Sequence, residues 1–171
     1  MSKNIVLVGL SGSGKTTVGK ALKEKFPIFS LIDTDEIIVQ REKRTINDIF
    51  AVEGEKYFRE LESQIAKEVS ETENQIISTG GGIVLNLQNI KELQKSGIIF
   101  YLQTSPDTIV KRLQGDSTRP LLNTDDIKSK LVSMLKKREK LYKNADVTIN
   151  TDNCKIDSVV EEIARAYNER S

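Results

Sequence analysis

Gly9-Leu10-Ser11-Gly12-Ser13-Gly14-Lys15-Thr16 fits the pattern G-x-x-x-x-G-K-[ST], and its reading decides the fold. Ahead of it, Ile5 to Val8 are β-branched or Leu and read as a buried strand. Behind it, from Lys15 to Lys25, Val18, Ala21, Leu22 and Phe26 recur at helical spacing. Strand, glycine-rich loop and helix in that order make a phosphate-binding loop. Glycines at 9, 12 and 14 let the backbone turn tightly and approach a ligand. The backbone N–H groups of the loop then point at phosphate oxygens, at a helix end that favours negative charge. Gly12, Ser13, Gly14, Lys15, Thr16 and Thr17 are therefore the candidates for holding a triphosphate. Lys15 adds a full charge near the β- and γ-phosphates, and Thr16 offers a hydroxyl to Mg²⁺. The loop specifies a nucleoside triphosphate and leaves open what becomes of the γ-phosphate.

Outward from the loop, the bulk properties narrow the class. A chain of 171 residues suits one domain, 1–171, with a real core. Charged residues reach 30% but the net charge is only +1, so composition carries no nucleic-acid or membrane-surface footprint. No apolar run approaches the roughly 18 residues of a membrane helix. The first strand begins by about residue 4, which leaves no room for a targeting segment. The single cysteine, Cys154, cannot form an internal disulfide; it reads as structural and suggests a reducing, cytoplasmic setting. There is no histidine, so any proton transfer must use a carboxylate, a lysine, a tyrosine, water or the substrate.

Strands alternate with helices along the rest of the chain. Further strands are expected at 28–32, 75–79, 98–102 and 147–150. Helix starts are expected at Asp35, at Thr45-x-x-Asp48, at Ser105-Pro106 and at a capping box Ser158-x-x-Glu161, with a long helix over 125–143. This alternation argues a parallel sheet covered on both faces, a three-layer α/β/α arrangement. Ligands gather at the carboxyl ends of such strands. The phosphate loop, Asp33/Asp35 and Gly80-Gly81-Gly82 all lie just past strand ends, so they form one edge and one site.

Within that edge several residues have two readings. Asp33-Thr34-Asp35 is either an ordinary strand end and helix cap or a pair of carboxylates for Mg²⁺ water and a substrate hydroxyl. Arg59 and Glu62, at i, i+3, make either a surface ion pair or a cleft wall. Arg138 sits inside the apolar stripe Ile127, Leu131, Met134, Leu141/Tyr142; it meets an internal acid, binds an anionic ligand, or snorkels. The triplet Gly80-Gly81-Gly82 makes a tight turn or admits a ligand. The stretch 115–124, with Arg119, has the composition of a lid that closes over a transferring phosphoryl group, or of a long loop. Arg112 stacks on a base or is a surface charge.

Taken together, the phosphate loop, Asp33-x-Asp35, Gly54-Glu55-x-x-Phe58-Arg59-x-x-Glu62, Gly80-Gly81-Gly82, Arg119-Pro120-Leu121-Leu122 and Arg138-x-x-x-Tyr142 closely resemble the shikimate kinase family across the whole chain. The resemblance implies a P-loop, nucleoside-monophosphate-kinase-like fold with a five-stranded parallel sheet. It also implies transfer of the ATP γ-phosphoryl group to the 3-hydroxyl of shikimate, giving shikimate 3-phosphate and ADP. By matching positions it assigns Asp35, Arg59, Gly81 and Arg138 to shikimate, the two arginines to its carboxylate and Asp35 to its hydroxyl. Gly80 and Gly82 shape the same wall, and the substrate-binding helices span about 33–62. Asp33 meets Mg²⁺ through water beside Thr16; Arg119 is the lid arginine; Arg112 and the stretch 150–153 flank adenine. Ser78 and Thr79 match a second nucleotide motif that has no strict acid. A cytoplasmic monomer is implied.

The chain departs from the family pattern at Asn150, where Asp is frequent, and in Gln114-Gly115-Asp116-Ser117-Thr118. Two other functions bear comparison. A related small-molecule kinase, such as gluconate kinase, has no evident use for Arg59 plus Arg138 beside the glycine triplet. A silent nucleotide-binding module is expected to lose Lys15, Asp35, Arg59 or Arg119, and all four are present.

Overall fold

A computed structural model describes residues 3–114 and 124–171. The expected lid, 115–124, lies outside the described residues apart from Thr124, and so does Arg119.

Five parallel strands form one sheet in the order β2-β3-β1-β4-β5. They are β1 (Asn4–Val8), β2 (Ser30–Asp33), β3 (Gln75–Ser78), β4 (Gly97–Gln103) and β5 (Val147–Asn150). The register pairs Ile5 with both Ile76 and Ile98, and Phe100 with Val147. Between the strands run α1 (Lys15–Lys25), α2 (Thr34–Glu42), α3 (Ile46–Val52), α4 (Gly54–Ser70), α5 (Leu87–Ser96), α6 (Pro106–Gln114), α7 (Thr124–Tyr142) and α8 (Ile156–Asn168).

The alternating pleat divides each central strand between two cores. Ile5, Leu7, Ile76, Ile98 and Phe100 join Val18 and Leu22 of α1 and Val159 and Ile163 of α8. Val6, Val8, Ile77, Ile99 and Tyr101 join Phe58 and Ile65 of α4, Leu93 of α5 and Tyr142 of α7. Burial on both faces explains why β1 reads as a continuous apolar run. Each such Ile, Val or Leu contributes about 1.5–3 kcal/mol by leaving water.

Two expectations need correction. The second strand starts at Ser30, because Pro27 and Ile28 lie in a turn that leaves Ile28 78% exposed. That turn swings Phe29 inward against Phe26 and Tyr167, with ring centres 5.4 and 5.9 Å away. The last helix starts at Ile156, so Ser158-x-x-Glu161 lies inside α8 and is not its cap. Left-handed Asn153 (φ 57°) reverses the chain first, and α8 begins where Val159, Val160 and Ile163 can reach the core. Elsewhere the local signals hold: Thr45 and Asp48 form a reciprocal capping box on α3, and Gly54 (φ 85°) separates α3 from α4.

Candidate active site

Three cavities lie in a row along the carboxyl edge of the sheet. The central one, about 390 Å³, is lined by Gly12 and Gly14 to Thr17, with Asp33 at the end of β2, Asp35 just past it, and Ser78 to Gly81 running off the end of β3. Gly14, left-handed at φ 96°, opens α1 with no side-chain cap. The first N–H groups of α1 are therefore left for an anion. Ser13 is buried, and its Oγ has no partner among the described residues. Lys15 is buried, its Nζ donating to the carbonyls of Gly9 and Leu10 at 2.9 Å each. Burial pushes its ammonium down to about 8, against the opposing pull of the Asp35 and Asp33 carboxylates.

The two aspartates at the end of β2 divide their tasks. Asp33 Oδ1 caps α2, accepting from the N–H groups of Asp35 (3.0 Å) and Glu36 (3.3 Å). Its other oxygen, Oδ2, accepts from the Thr16 hydroxyl at 3.4 Å. The capping reading of Asp33 holds, and the cap is what turns its second oxygen toward the loop. Asp35 lines the central cavity and also its neighbour. Its Oδ1 is buried without a hydrogen-bond partner among the described residues. Burial first, and the Asp33 charge second, raise its carboxyl above the usual range, while Lys15 and Arg59 pull it down.

Ser11, Asp35, Gly80 and Gly81 are shared with the second cavity, about 320 Å³, which Arg59 and Arg138 also line. Arg59 bonds the Glu62 carboxylate and reaches Glu55 at 3.2 Å. Its Cζ lies 5.3 Å from the centre of the Phe58 ring and 5.9 Å from that of Phe50. Glu62 is 1% exposed, so the pair is a cleft wall and not a surface bridge. Burial raises the Glu62 carboxyl, with Arg59 opposing. Arg138 Nη1 donates to the Gly81 carbonyl at 3.3 Å, and among the described residues its guanidinium makes no ion pair.

The three glycines are there for close approach. None of them is left-handed. A Cβ on Gly80 would lie 2.6 Å from Asp35 Oδ1 and 2.9 Å from Glu62 Oε1; one on Gly81, 3.1 Å from Ser11 N; one on Gly82, 2.2 Å from Arg59 Nη1. The Gly80 N–H donates to the hydroxyl of buried Thr34 at 3.2 Å.

A third cavity, about 330 Å³, shares Gly14, Thr17 and Arg112 with the first and is otherwise lined by Val18, Thr151, Cys154, Ile156 and Val159 among others. Arg112 ties its walls together, donating to the carbonyls of Ser13 (3.1 Å) and Thr151 (3.0 Å). Of the stretch 150–153, only Thr151 lines this cavity; Asn150 instead accepts from the Asp152 N–H at 2.8 Å. Cys154 is exposed, and its thiol donates to the carbonyls of Asn150 (3.5 Å) and Asp152 (3.4 Å).

Known proteins of one family resemble the chain. The family model described as shikimate kinase covers residues 11–168. The chain belongs to the shikimate kinase family. A shikimate kinase from Caldicellulosiruptor saccharolyticus is 49% identical over 150 residues, 88% of this chain and 87% of the relative. Another, from Caldanaerobacter subterraneus, is 41% identical over 165 residues, 96% of each. The solved structure of shikimate kinase from Acinetobacter baumannii in complex with shikimate superposes with a TM-score of 0.88 at 33% identity, covering 100% of this chain and 96% of that one. A gluconokinase from Sinorhizobium meliloti gives 0.62 at 17% identity, a likeness of fold alone.

Several wall residues carry no functional signal in the sequence. Ile46, Phe50 and Met134 line the second cavity, and Ser11 faces two cavities at once. Ile46 and Met134 were legible only as apolar stripe positions. Ser11 stands at a variable position of the phosphate loop, and the pattern alone does not tell it from its neighbour Leu10, which is buried in the core.

Proposed function

We propose that the chain transfers the γ-phosphoryl group of ATP to the 3-hydroxyl of shikimate, yielding shikimate 3-phosphate for chorismate and aromatic amino acid biosynthesis. The observation that carries this reading is the shared wall. Ser11, Asp35, Gly80 and Gly81 separate a triphosphate-type cavity from one lined by two arginines. A small acceptor bearing a carboxylate fits the second cavity, because a guanidinium bonds a carboxylate through two parallel N–H groups. ATP fits the other two, with its base between Arg112 and Val18 and its phosphates on Gly12 to Thr17.

In this reading the acceptor oxygen attacks the γ-phosphorus in line, the bond to the β-phosphate oxygen breaks, and ADP leaves. Asp35 orients the acceptor hydroxyl and receives its proton, in a chain that has no histidine for the task. Lys15 neutralises charge on the β- and γ-phosphates. Arg119 is assigned to the transferring group from its motif alone.

Mg²⁺ fits the donor set beside the loop. Thr16 and Asp33 offer hard oxygens 3.4 Å apart, while no group of three or more His, Cys, Asp or Glu among the described residues makes a complete metal cage. A cation bound largely by phosphates and water suits such a partial shell. When bound, it supplies charge stabilisation to the phosphates. We read residues 33–62 as the acceptor-binding part of a single domain. A cytoplasmic monomer completes the proposal; the one cysteine, free and exposed, is at ease in a reducing compartment.

A coupled assay of ADP release with ATP and shikimate tests the reading, with gluconate and nucleoside monophosphates as alternative acceptors. Turnover with shikimate and none with the others is expected. Turnover confined to another acceptor overturns it.

A further inference from the structure

Tyr142 lies one helical turn beyond Arg138 on α7, and both reach the same atom. The Tyr142 hydroxyl donates to the Gly81 carbonyl at 2.6 Å, and Arg138 Nη1 donates to it at 3.3 Å. The phenol is fully buried and its ring stacks on Tyr101, with centres 4.9 Å apart and planes 11° from parallel. The stack leaves the hydroxyl little freedom to go elsewhere. On its other side Gly81 abuts the phosphate loop, where an added Cβ would lie 3.1 Å from Ser11 N and 3.4 Å from Gly9 O. The Gly81 peptide is therefore clamped between α7 and the loop, in the wall common to two cavities.

We propose that Tyr142 is a positioning residue for the acceptor. Its hydroxyl makes the short bond to the Gly81 carbonyl, so the Arg138 guanidinium gives that oxygen only one long bond from Nη1 and keeps its remaining N–H groups for a carboxylate. A buried carbonyl left without its donor is costly. Without the phenol, the charged guanidinium is left as the donor to that oxygen and draws in on it from 3.3 Å. It then loses the fork geometry that carboxylate binding requires. The inference rests on the proposed shikimate kinase activity.

Tyr142→Phe keeps the ring and removes only the hydroxyl. KM for shikimate is expected to rise about tenfold, the worth of one good hydrogen bond, while KM for ATP changes less than about twofold. In an Arg138→Ala background the same substitution should add nothing further, because it acts through Arg138. Tyr101→Phe, whose ring stacks equally well, should leave both KM values unchanged. Equal shifts for both substrates, an unchanged KM for shikimate, a full effect in the Arg138→Ala background, or an unfolded Tyr142→Phe protein would each overturn the inference. Calorimetric titration of the unsubstituted chain with shikimate separates the two levels. A chain that neither binds nor phosphorylates shikimate refutes the proposed function and this inference together. A working chain indifferent to Tyr142→Phe refutes the inference alone.

Discussion

The guanidinium of Arg59 fills the space that a side chain on Gly82 would need: a Cβ built there lies 2.2 Å from Nη1. Gly82 itself has ordinary angles, φ −96° and ψ −1°, so alanine fits its backbone without strain. Gly82→Ala is therefore expected to fold with a melting temperature within a few degrees of the parent. It should displace Arg59 and raise KM for shikimate at least about tenfold, the cost of a charge-assisted bond. Thermal melts and steady-state kinetics check both halves; a large loss of stability with unchanged KM contradicts it.

Glu62 is the buried partner that fixes Arg59, and its carboxyl is raised by burial above the ordinary glutamate value of 4.5. The folded chain holds that proton to higher pH than the unfolded chain does. The contribution of Glu62 to stability is thus greatest below pH 4.5 and falls as pH climbs through the raised value. Glu62→Gln, which cannot ionise, should flatten stability against pH over that window. It should also raise KM for shikimate about three- to tenfold by weakening the hold on Arg59. Denaturation midpoints measured upward from pH 4.5 check the first effect; parallel curves for both proteins refute it.

Arg138→Ala should weaken shikimate binding about 10- to 100-fold, since a two-point charged contact is lost, and leave ATP binding within about twofold. Titration calorimetry with each ligand decides. An equal loss for both would make Arg138 a structural residue.

Lys15 links nucleotide binding to protons. Burial lowers its ammonium from 10.5 to about 8. Without nucleotide, the lysine's contribution to stability therefore grows as pH rises from about 8 to 10.5, where only the unfolded chain still holds the proton. Phosphates beside it favour the charged form, so ATP binding at pH 8 should take up about half a proton per chain, seen as buffer-dependent binding enthalpy. Lys15→Met should abolish that uptake and cut turnover at least about a thousandfold while the fold survives. Proton uptake that persists in Lys15→Met would assign the titration elsewhere.

Residues whose demands are local were readable in the sequence. The phosphate loop and the glycine triplet declare themselves through backbone requirements, and Arg138 through a charge in an apolar stripe. The contact of Tyr142 with Gly81 spans 61 residues, and that of Thr34 with Gly80 spans 46, so each depends on which segment the fold lays over the turn after β3. In the sequence Tyr142 is an apolar stripe position and the end of the motif Arg138-x-x-x-Tyr142, with nothing to name its partner, and Thr34 is only the residue between two aspartates. Ser158 misled for the converse reason. A capping box needs four residues to look right, but the start of α8 is set by the reversal at Asn153 and the reach of Val159 and Ile163 into the core. Arg59 and Glu62 lay between these cases: spacing allowed the pair, and only packing against Phe50 and Phe58 made it a wall.

The lone thiol at the rim of the third cavity gives the protein a built-in labelling point. With one cysteine in the whole sequence, and that one exposed, a maleimide dye attaches at a single known position without any engineering. Because Cys154 shares its cavity with Thr17 and Arg112, the dye's emission would register the arrival of a base there, and nucleotide would in turn slow the labelling. Donor occupancy could then be followed in real time, apart from the chemistry that follows it.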